Sequence, residues 1–429
     1  MGARGGGVGA RPLEWRTEGD DDRESVMGRK MLASGAVLVG VAVLLGVAGW
    51  HATAGGERSG KTAVAVTSVG ASPVVRAADT ALPSLPPGAI YRERVLTNEE
   101  LEVRGFLARW GREFQDAVDG RIAWLLERGD AQSLYEAYLL LPASDALGSE
   151  ATRDRQAILD RARTLAPDDL QLALMAAIEC GGTDCDGANA IREVLRLQPD
   201  NAVGALLALE AALESGDRAA IDQWLARAAA ADYYRMGYAR TARDYASAFE
   251  NVPAPPMNPD ALRRTLATLG LAPDAAATVD DLVMLQAAGV VVAHPLPSMA
   301  GLSDLCAARR VSPAHLATCQ RIWGHMAGSD TVIAQAIALS QLVQMPGNAT
   351  EQRHWKERLR HFHWTMHAAN RVQDMQLVRD HLRLGEFQAW QRLLQRHGLT
   401  MPPGWLPNDP HYRSLILTGR LPPGTDDDP

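Results

Sequence analysis

The chain has 429 residues, of which 47% are hydrophobic and 22% are charged. This composition is typical of a globular protein, and it excludes a collagen-like chain, wholesale disorder and a membrane protein with many spans. The formal net charge of −8 gives no reason to expect a nucleic-acid partner, and we expect none.

The first fifty residues predict a tail followed by a membrane anchor. Residues 1–30 are rich in glycine and arginine, then acidic, which is typical of a disordered segment. Residues 32–50 carry no charge, and as a helix they would be about 28 Å long, close to the thickness of the bilayer core. Arg29 and Lys30 precede this run, so the positive-inside rule places the N-terminus in the cytoplasm. We therefore predict one transmembrane helix over 31–50, a signal anchor that contacts the bilayer through residues 32–50.

A cleaved signal peptide is the alternative interpretation of this segment. Ala52-Thr53-Ala54 has the pattern of a cleavage site, and Met27 or Met31 as the start would shorten the charged region before the apolar run. The length of the run and of the preceding tail favours the uncleaved anchor. Both interpretations place the body in the bacterial periplasm, attached to the inner membrane in the first case and secreted in the second.

Residues 51–95 are predicted to be a flexible linker that contains a misleading motif. The segment from Gly55 to Thr62 matches the phosphate-binding pattern G-x-x-x-x-G-K-[ST]. A genuine motif needs a strand before it and a helix after it, and the sequence around it predicts neither. We therefore expect the segment to be part of the linker and to bind no nucleotide.

From Thr97 onward the sequence predicts one helix after another, so the fold class is all-α. Apolar residues recur at helical spacing, and no two alternating runs are joined by a hairpin turn. The predicted helix starts include Thr97-Asn98, Asn258-Pro259, Thr278 with Asp281, Ser312-Pro313 and Ser329-Asp330.

A short pattern recurs after 32 residues in the first part of this body. The segment LAPDD at 165–169 returns as LQPDN at 197–201, and a weaker echo begins at Ala231. Each period is predicted to hold two short helices, for example over 169–179 and 186–197. One helix pair cannot bury its own apolar face, so such repeats stack.

The Pro-Asp-Asn junction at 199–201 and the paired alanines Ala219 and Ala220 resemble tetratricopeptide-type α-solenoids over roughly 130–250. The period is 32 residues rather than about 34, and the aromatic and glycine positions of the first helix are not matched. The resemblance implies a groove-forming interaction scaffold without chemistry of its own. It predicts a tetratricopeptide-like domain over 96–251 that ends in a closing helix at 231–251.

A second helical region is predicted over 252–420. The prolines at 253–256 mark its start, and about eight helices follow without a recognisable period. Residues 331–345 are apolar nearly all round, which predicts a buried helix. Residues 421–429 are predicted to be a disordered acidic tail.

Four cysteines form two close pairs in the sequence. Cys180 and Cys185 flank a short turn, and Cys306 and Cys319 lie at nearly equal distances from the turn at 312–313. Three connectivities are possible for four cysteines. The spacing favours the disulfides 180–185 and 306–319, which an oxidising periplasm would maintain. Buried free thiols are the alternative, whereas the spacing disfavours a zinc site.

Histidines concentrate near the C-terminus, where seven of the eleven lie within 351–420. His363 and His367 are four residues apart on a predicted helix, so they share a face and are the candidate metal ligands. The glutamate of the H-E-x-x-H zinc motif is not present between them, and a surface pair without metal is the alternative. The same region has more basic than acidic residues and could meet an anionic partner more strongly as the pH falls.

No nucleophile signature, catalytic residue or cofactor site emerges from the sequence. We therefore expect a membrane-anchored periplasmic helical-repeat protein that binds other envelope proteins, as an adaptor or an assembly factor. Two alternatives stay open. One is an exported all-α enzyme whose site the sequence does not reveal, and the other is a binding module for a metal or a small ligand.

Overall fold

The computed structural model describes residues 98–143, 151–180, 187–269, 271, 277–294, 296–308 and 310–422. The predicted tail, membrane helix and linker over 1–95 therefore lie outside the described residues. The same holds for the motif from Gly55 to Thr62, for Cys185 and for residues 423–429 of the predicted acidic tail.

The described part of the chain is helical throughout and contains no strand, in agreement with the predicted all-α class. Its seventeen α-helices are α1 (Asn98–Arg128), α2 (Ala131–Leu140), α3 (Ala151–Leu165), α4 (Leu170–Glu179), α5 (Gly187–Leu197), α6 (Ala202–Ser215), α7 (Arg218–Ala230), α8 (Tyr238–Glu250), α9 (Pro259–Thr268), α10 (Val279–Val292), α11 (Ala300–Leu305), α12 (Leu316–Met326), α13 (Val332–Gln344), α14 (Ala349–Ala369), α15 (Met375–Leu384), α16 (Glu386–Arg396) and α17 (Pro410–Thr418).

Side-chain caps define several helix starts, as the sequence predicts. Asn258 caps α9 by accepting hydrogen bonds from two backbone N–H groups, with Pro259 at the first helical position. Thr278 and Asp281 form a reciprocal capping box at the start of α10. Such caps satisfy N–H groups that have no partner within the helix. These two predicted starts are confirmed.

Three other predicted starts are wrong. The helix predicted from Ser312-Pro313 begins only at Leu316, after a turn in which the Ser312 carbonyl accepts hydrogen bonds from the backbone N–H groups of His315 and Leu316. One carboxylate explains the other two. Helix α13 begins after Thr331, not after Asp330, because the Asp330 carboxylate accepts hydrogen bonds from the backbone N–H groups of Met236 and Tyr238, both at 2.8 Å. The closing helix predicted over 231–251 begins only at Tyr238. The seven residues before it are not helical. They are held by Asp330 and by the preceding repeat junction, and Gly237 among them has a φ of +70°.

The 32-residue steps of the sequence lie side by side in the structure. The backbone N–H of Asp232 donates to the carbonyl of Asp200 at 2.9 Å, and Asn201 and Tyr233 form an isolated parallel bridge. One step earlier, the Arg196 guanidinium contacts Asp168 at 2.8 Å. The predicted helix pair of one period is present as α4 and α5, and the helices from α3 to α7 pack consecutively.

Helix α8 lies between the two predicted helical regions. It packs against α2 on one side and against α10 and α15 on the other, while α7 contacts α12. One contiguous apolar core extends from Trp110 to Ile416 and includes residues of both regions. Within it, α13 is a largely buried helix as expected, although Ile333 is 43% exposed.

None of the helices in the described residues combines the length and the apolar composition that crossing a membrane requires. The segment predicted to do so, 31–50, is not among them.

Candidate functional site

The two candidate metal ligands lie on α14, but their imidazole rings have different neighbours. The His363 ring contacts the Tyr412 ring of α17, with 3.9 Å between the centroids. The His367 ring lies 5.7 Å from the ring of Trp405, between centroids. Burial lowers the pKa of His363 to about 4, which outweighs the opposing effect of Asp409. At neutral pH the His363 imidazole is therefore uncharged.

A metal site would need more ligands than this pair supplies. Among the described residues, no three side chains of His, Cys, Asp or Glu come together in a way that could hold a metal ion. His363 and His367 therefore have no third ligand there. The Nε2 atom of His363 is buried and has no hydrogen-bond partner within the same residues.

Aromatic side chains surround His367 and form what we call the α14 face, which consists of Trp364, His367 and Trp405. The two tryptophan rings meet edge to face with 5.4 Å between their centroids, and His367 lies 6.3 Å from Trp364. All three side chains are half-buried, while the neighbouring Pro402 and Pro403 are exposed. The α14 face is thus an aromatic surface with an exposed proline pair beside it.

Local hydrogen bonds hold the segment that carries Trp405. The backbone N–H of Trp405 donates to the carbonyl of Pro402, in a turn where Gly404 has a φ of +70°. This left-handed conformation favours glycine. Further along, the Asp409 carboxylate caps α17, and the Arg413 guanidinium donates to the carbonyl of Pro407. The position of Trp405 is thereby fixed on both sides.

Several basic residues of this region bind groups of the protein itself. Arg379 and Arg396 bind the buried carboxylates of Asp281 and Asp380, both at 2.5 Å. Arg358 donates to a backbone carbonyl at 2.7 Å. Fewer cations than the sequence suggests are therefore left for the expected anionic partner. Those that remain exposed include Arg371, Arg392 and Arg420.

A second group of polar side chains, the Arg155 cluster, lies where five elements meet. It consists of Tyr138 on α2, Arg155 on α3, Glu179 on α4, Tyr245 on α8 and His294 after α10. The Glu179 carboxylate accepts hydrogen bonds from Tyr138 at 2.5 Å and from Arg155 at 2.7 Å. The Tyr245 hydroxyl meets Nδ1 of His294 at 3.2 Å.

The pKa values of the histidine and the two tyrosines in the Arg155 cluster lie far from neutral pH. Burial, together with the charge of Arg155, lowers the pKa of His294 to about 4. Burial raises the pKa of Tyr245 to about 12 and that of Tyr138 well above its ordinary value. A general acid or base works best with a pKa near the ambient pH. The cluster is therefore suited to joining helices and poorly suited to moving protons.

Cys306 and Cys319 form a disulfide, with 5.4 Å between their Cα atoms, which is the pairing that their spacing around the turn predicts. Both residues are fully buried, and the Trp323 indole donates to the carbonyl of Cys306 at 3.2 Å. Cys180 is disulfide-bonded as well, and no cysteine of the described residues is free. The predicted partner of Cys180, Cys185, lies outside the described residues.

Sequence reasoning singled out His363 and His367 but missed Trp364, Trp405 and Tyr412. The two histidines are one helical turn apart, whereas Trp405 and Tyr412 reach them from later segments. A tryptophan directly after a Pro-Pro-Gly turn was the available signal.

No protein-family model matches the chain, and no curated protein or solved structure matches it significantly.

Proposed function

We propose that this protein is a scaffold of the bacterial envelope that binds another envelope protein through the α14 face. In this proposal, residues 31–50 anchor the chain in the inner membrane and the helical body lies in the periplasm. The body is a helical-repeat structure with tetratricopeptide-like stacking in its first part. Its role is that of an adaptor or an assembly factor.

The observation that carries the proposal is the pair of half-buried tryptophans, Trp364 and Trp405, at the surface of α14. Tryptophan is enriched among the residues that dominate protein–protein binding energies, because a large rigid ring buries much area at a small entropic cost. The neighbouring Pro402 and Pro403 are exposed and carry no side-chain charge. Such a surface suits a protein partner that contributes apolar or aromatic side chains.

The test compares two tryptophan substitutions in the full-length chain. Trp405→Ala removes a ring of the α14 face, whereas Trp124→Ala removes a 43% exposed ring on α1, between Arg121 and Arg128. Partners are captured by crosslinking in intact cells and identified by mass spectrometry.

We expect both the wild type and the Trp124 variant to capture the same envelope protein. Trp405→Ala should weaken this binding by about 2 kcal/mol or more, a typical effect for a dominant interface residue. Circular dichroism checks that the variant remains folded, since Trp405 also packs against Trp364. Equal capture by a folded Trp405 variant and by the wild type would contradict the proposed surface.

A further inference from the structure

Helix α8 carries two buried tyrosine–histidine pairs of nearly the same geometry. The Tyr238 hydroxyl lies 3.1 Å from Nε2 of His381, and the Tyr245 hydroxyl lies 3.2 Å from Nδ1 of His294. The rings meet edge to face, with centroid separations of 5.9 and 5.8 Å and interplanar angles of 68° and 66°. Tyr238 and Tyr245 are seven residues apart, so they lie on the same side of the helix.

The two histidines connect α8 to the later helices. His381 belongs to α15, and His294 follows directly after α10. Toward the earlier helices, Thr241 accepts from Gln171 of α4 at 2.7 Å and Asp244 accepts from Tyr135 of α2 at 3.1 Å. Tyr245 also contacts Arg155 of α3. Both imidazoles thus belong to the contact of α8 with α10 and α15. We call this contact the α8 joint.

The surroundings of each imidazole favour its neutral form. His381 is 1% exposed and His294 is 8% exposed. One ring nitrogen of each meets a tyrosine hydroxyl, and the other is buried without a hydrogen-bond partner among the described residues. A protonated ring would carry two N–H donors and a charge, and the second donor would have no acceptor there. Burial accordingly lowers the pKa of both histidines to about 4.

The charged groups around His381 do not compensate a proton on its ring. On α15 itself, Asp380 is bound by Arg396 and Arg383, and Arg379 is bound to Asp281 of α10. Asp330 is engaged by two backbone N–H groups of the segment leading into α8.

The remaining carboxyl near Tyr238 is that of Glu386 on α16. Burial raises the pKa of Glu386 to about 7, so this group is already neutral when His381 begins to be protonated. Around His294, the charge of Arg155 on α3 opposes protonation, and Glu179 on α4 is paired with that arginine.

We propose that the α8 joint is an acid-sensitive latch, in which protonation of His294 and His381 releases α8 from α10 and α15 while its contacts with α2 and α4 remain. Opening exposes the imidazoles to water, where they bind protons readily. Acid therefore favours the open state by linkage.

The test is hydrogen exchange, followed by mass spectrometry, of the full-length protein between pH 7.5 and pH 5. Rates are corrected for the intrinsic effect of pH on exchange. Relative to neutral pH, we expect opening of α8, α10 and α15 at pH 5 to increase roughly 30-fold for each histidine that becomes exposed. Peptides from α4 to α6 should keep their protection over the same range.

The deciding variant is His294→Gln with His381→Gln, since glutamine stays neutral and can still accept from the tyrosines. This variant should lose the acid-induced opening. His363→Gln is the matched control, because His363 is a half-buried histidine whose pKa is also about 4 but which lies away from α8. It should open as the wild type does.

Three results would overturn the latch. The first is that wild-type α8 keeps the same protection as α4 to α6 down to pH 5. The second is that the double glutamine variant opens as the wild type does. The third comes from NMR titration of the wild-type imidazoles, which needs no variant to fold. A finding that His294 and His381 titrate near 6.5, like exposed histidines, would remove the basis of the proposal.

Discussion

At the scale of single residues, buried and half-buried polar side chains connect segments that are far apart in the sequence. Gln171 and Thr241 are 70 residues apart, Arg379 and Asp281 are 98 apart, and Tyr135 and Asp244 are 109 apart. A buried polar group without a partner costs free energy, so each of these side chains depends on its partner. Sequence patterns report neighbours along one helix, and for this reason the sequence did not predict such pairs.

Arg155 provides the sharpest test of this dependence. Substitution by methionine keeps an unbranched apolar stem but leaves Glu179, only 12% exposed, without its charged partner. We expect Arg155→Met to lower the free energy of unfolding by about 3 kcal/mol. It should also raise the pKa of His294, because the guanidinium charge now helps to lower it. Chemical denaturation and NMR titration measure the two effects.

Arg196→Met serves as the control for this substitution. Both side chains of the Arg196–Asp168 ion pair are exposed, at 56% and 81%, and such a pair contributes about 0.5 kcal/mol. If the two variants lose similar amounts of stability, the Arg155 cluster does not have the structural role that we assign to it.

At the scale of elements, two predicted helix starts hold because each depends on a cap in its own sequence. Asn258 and Thr278 cap the helices that follow them directly, and those starts were predicted. Asp330 has the same local signature, but its carboxylate binds the backbone before α8, 92 to 94 residues away. Glu386 acts similarly, since its carboxylate accepts from the backbone N–H of Val332 at the start of α13. Caps supplied by another element leave no local signal.

The position of Glu386 predicts a particular pH dependence. Its pKa is raised by burial from 4.5 to about 7, so between these values the folded protein holds a proton that the unfolded chain has lost. The free energy of unfolding should therefore fall as the pH rises through this interval. Glu386→Gln, which stays neutral, should remove a fall of up to about 3 kcal/mol.

Urea denaturation at pH 5 and pH 8 measures this effect as the difference between variant and wild type. The buried histidines contribute equally to both proteins, so their opposite dependence cancels. Glu357→Gln, at a side chain that is 57% exposed, is the control and should follow the wild type. Parallel pH profiles for Glu386→Gln and the wild type would show that the carboxyl group is ionised throughout.

The disulfide between Cys306 and Cys319 connects the end of α11 to α12 across 13 residues. A loop of this size restricts the unfolded chain by about 3 kcal/mol. Replacing both cysteines by serine should lower the melting temperature by several degrees in calorimetry. The corresponding change at Cys180 and Cys185 should have a smaller effect, because that loop is shorter. Non-reducing peptide mapping that found Cys306 linked to Cys180 would contradict the pairing.

At the scale of the whole molecule, the sequence predicted the helical class, and the junctions that recur after 32 residues contact one another in the structure. The sequence did not predict how α8 joins the two regions, because those contacts link α8 to α2 and to α15. The candidate site shows the same division. His363 and His367 were placed on one helix correctly, whereas Trp405 reaches His367 only through the turn at Gly404.

The proposed location of the body is the prediction on which the others depend, since the scaffold, its partners and its disulfides all require a periplasmic location. The uncharged run over 32–50, preceded by Arg29 and Lys30, should place everything after it outside the cytoplasm. Alkaline phosphatase fused after Ala54 or after Asn251 should therefore be active, because this reporter needs the oxidising periplasm to form its disulfides.

Immunoblots of the same cells distinguish an anchor from a cleaved signal. An uncleaved anchor leaves the full-length chain in the membrane fraction. Cleavage after Ala54 would release a form about 5 kDa lighter and would reject the anchor while keeping the export. A reporter that is active only in the cytoplasm, fused after Ala54 and Asn251, should be silent at both positions. Activity of that reporter at either fusion, with an inactive phosphatase, would overturn the topology and with it the proposed envelope partner.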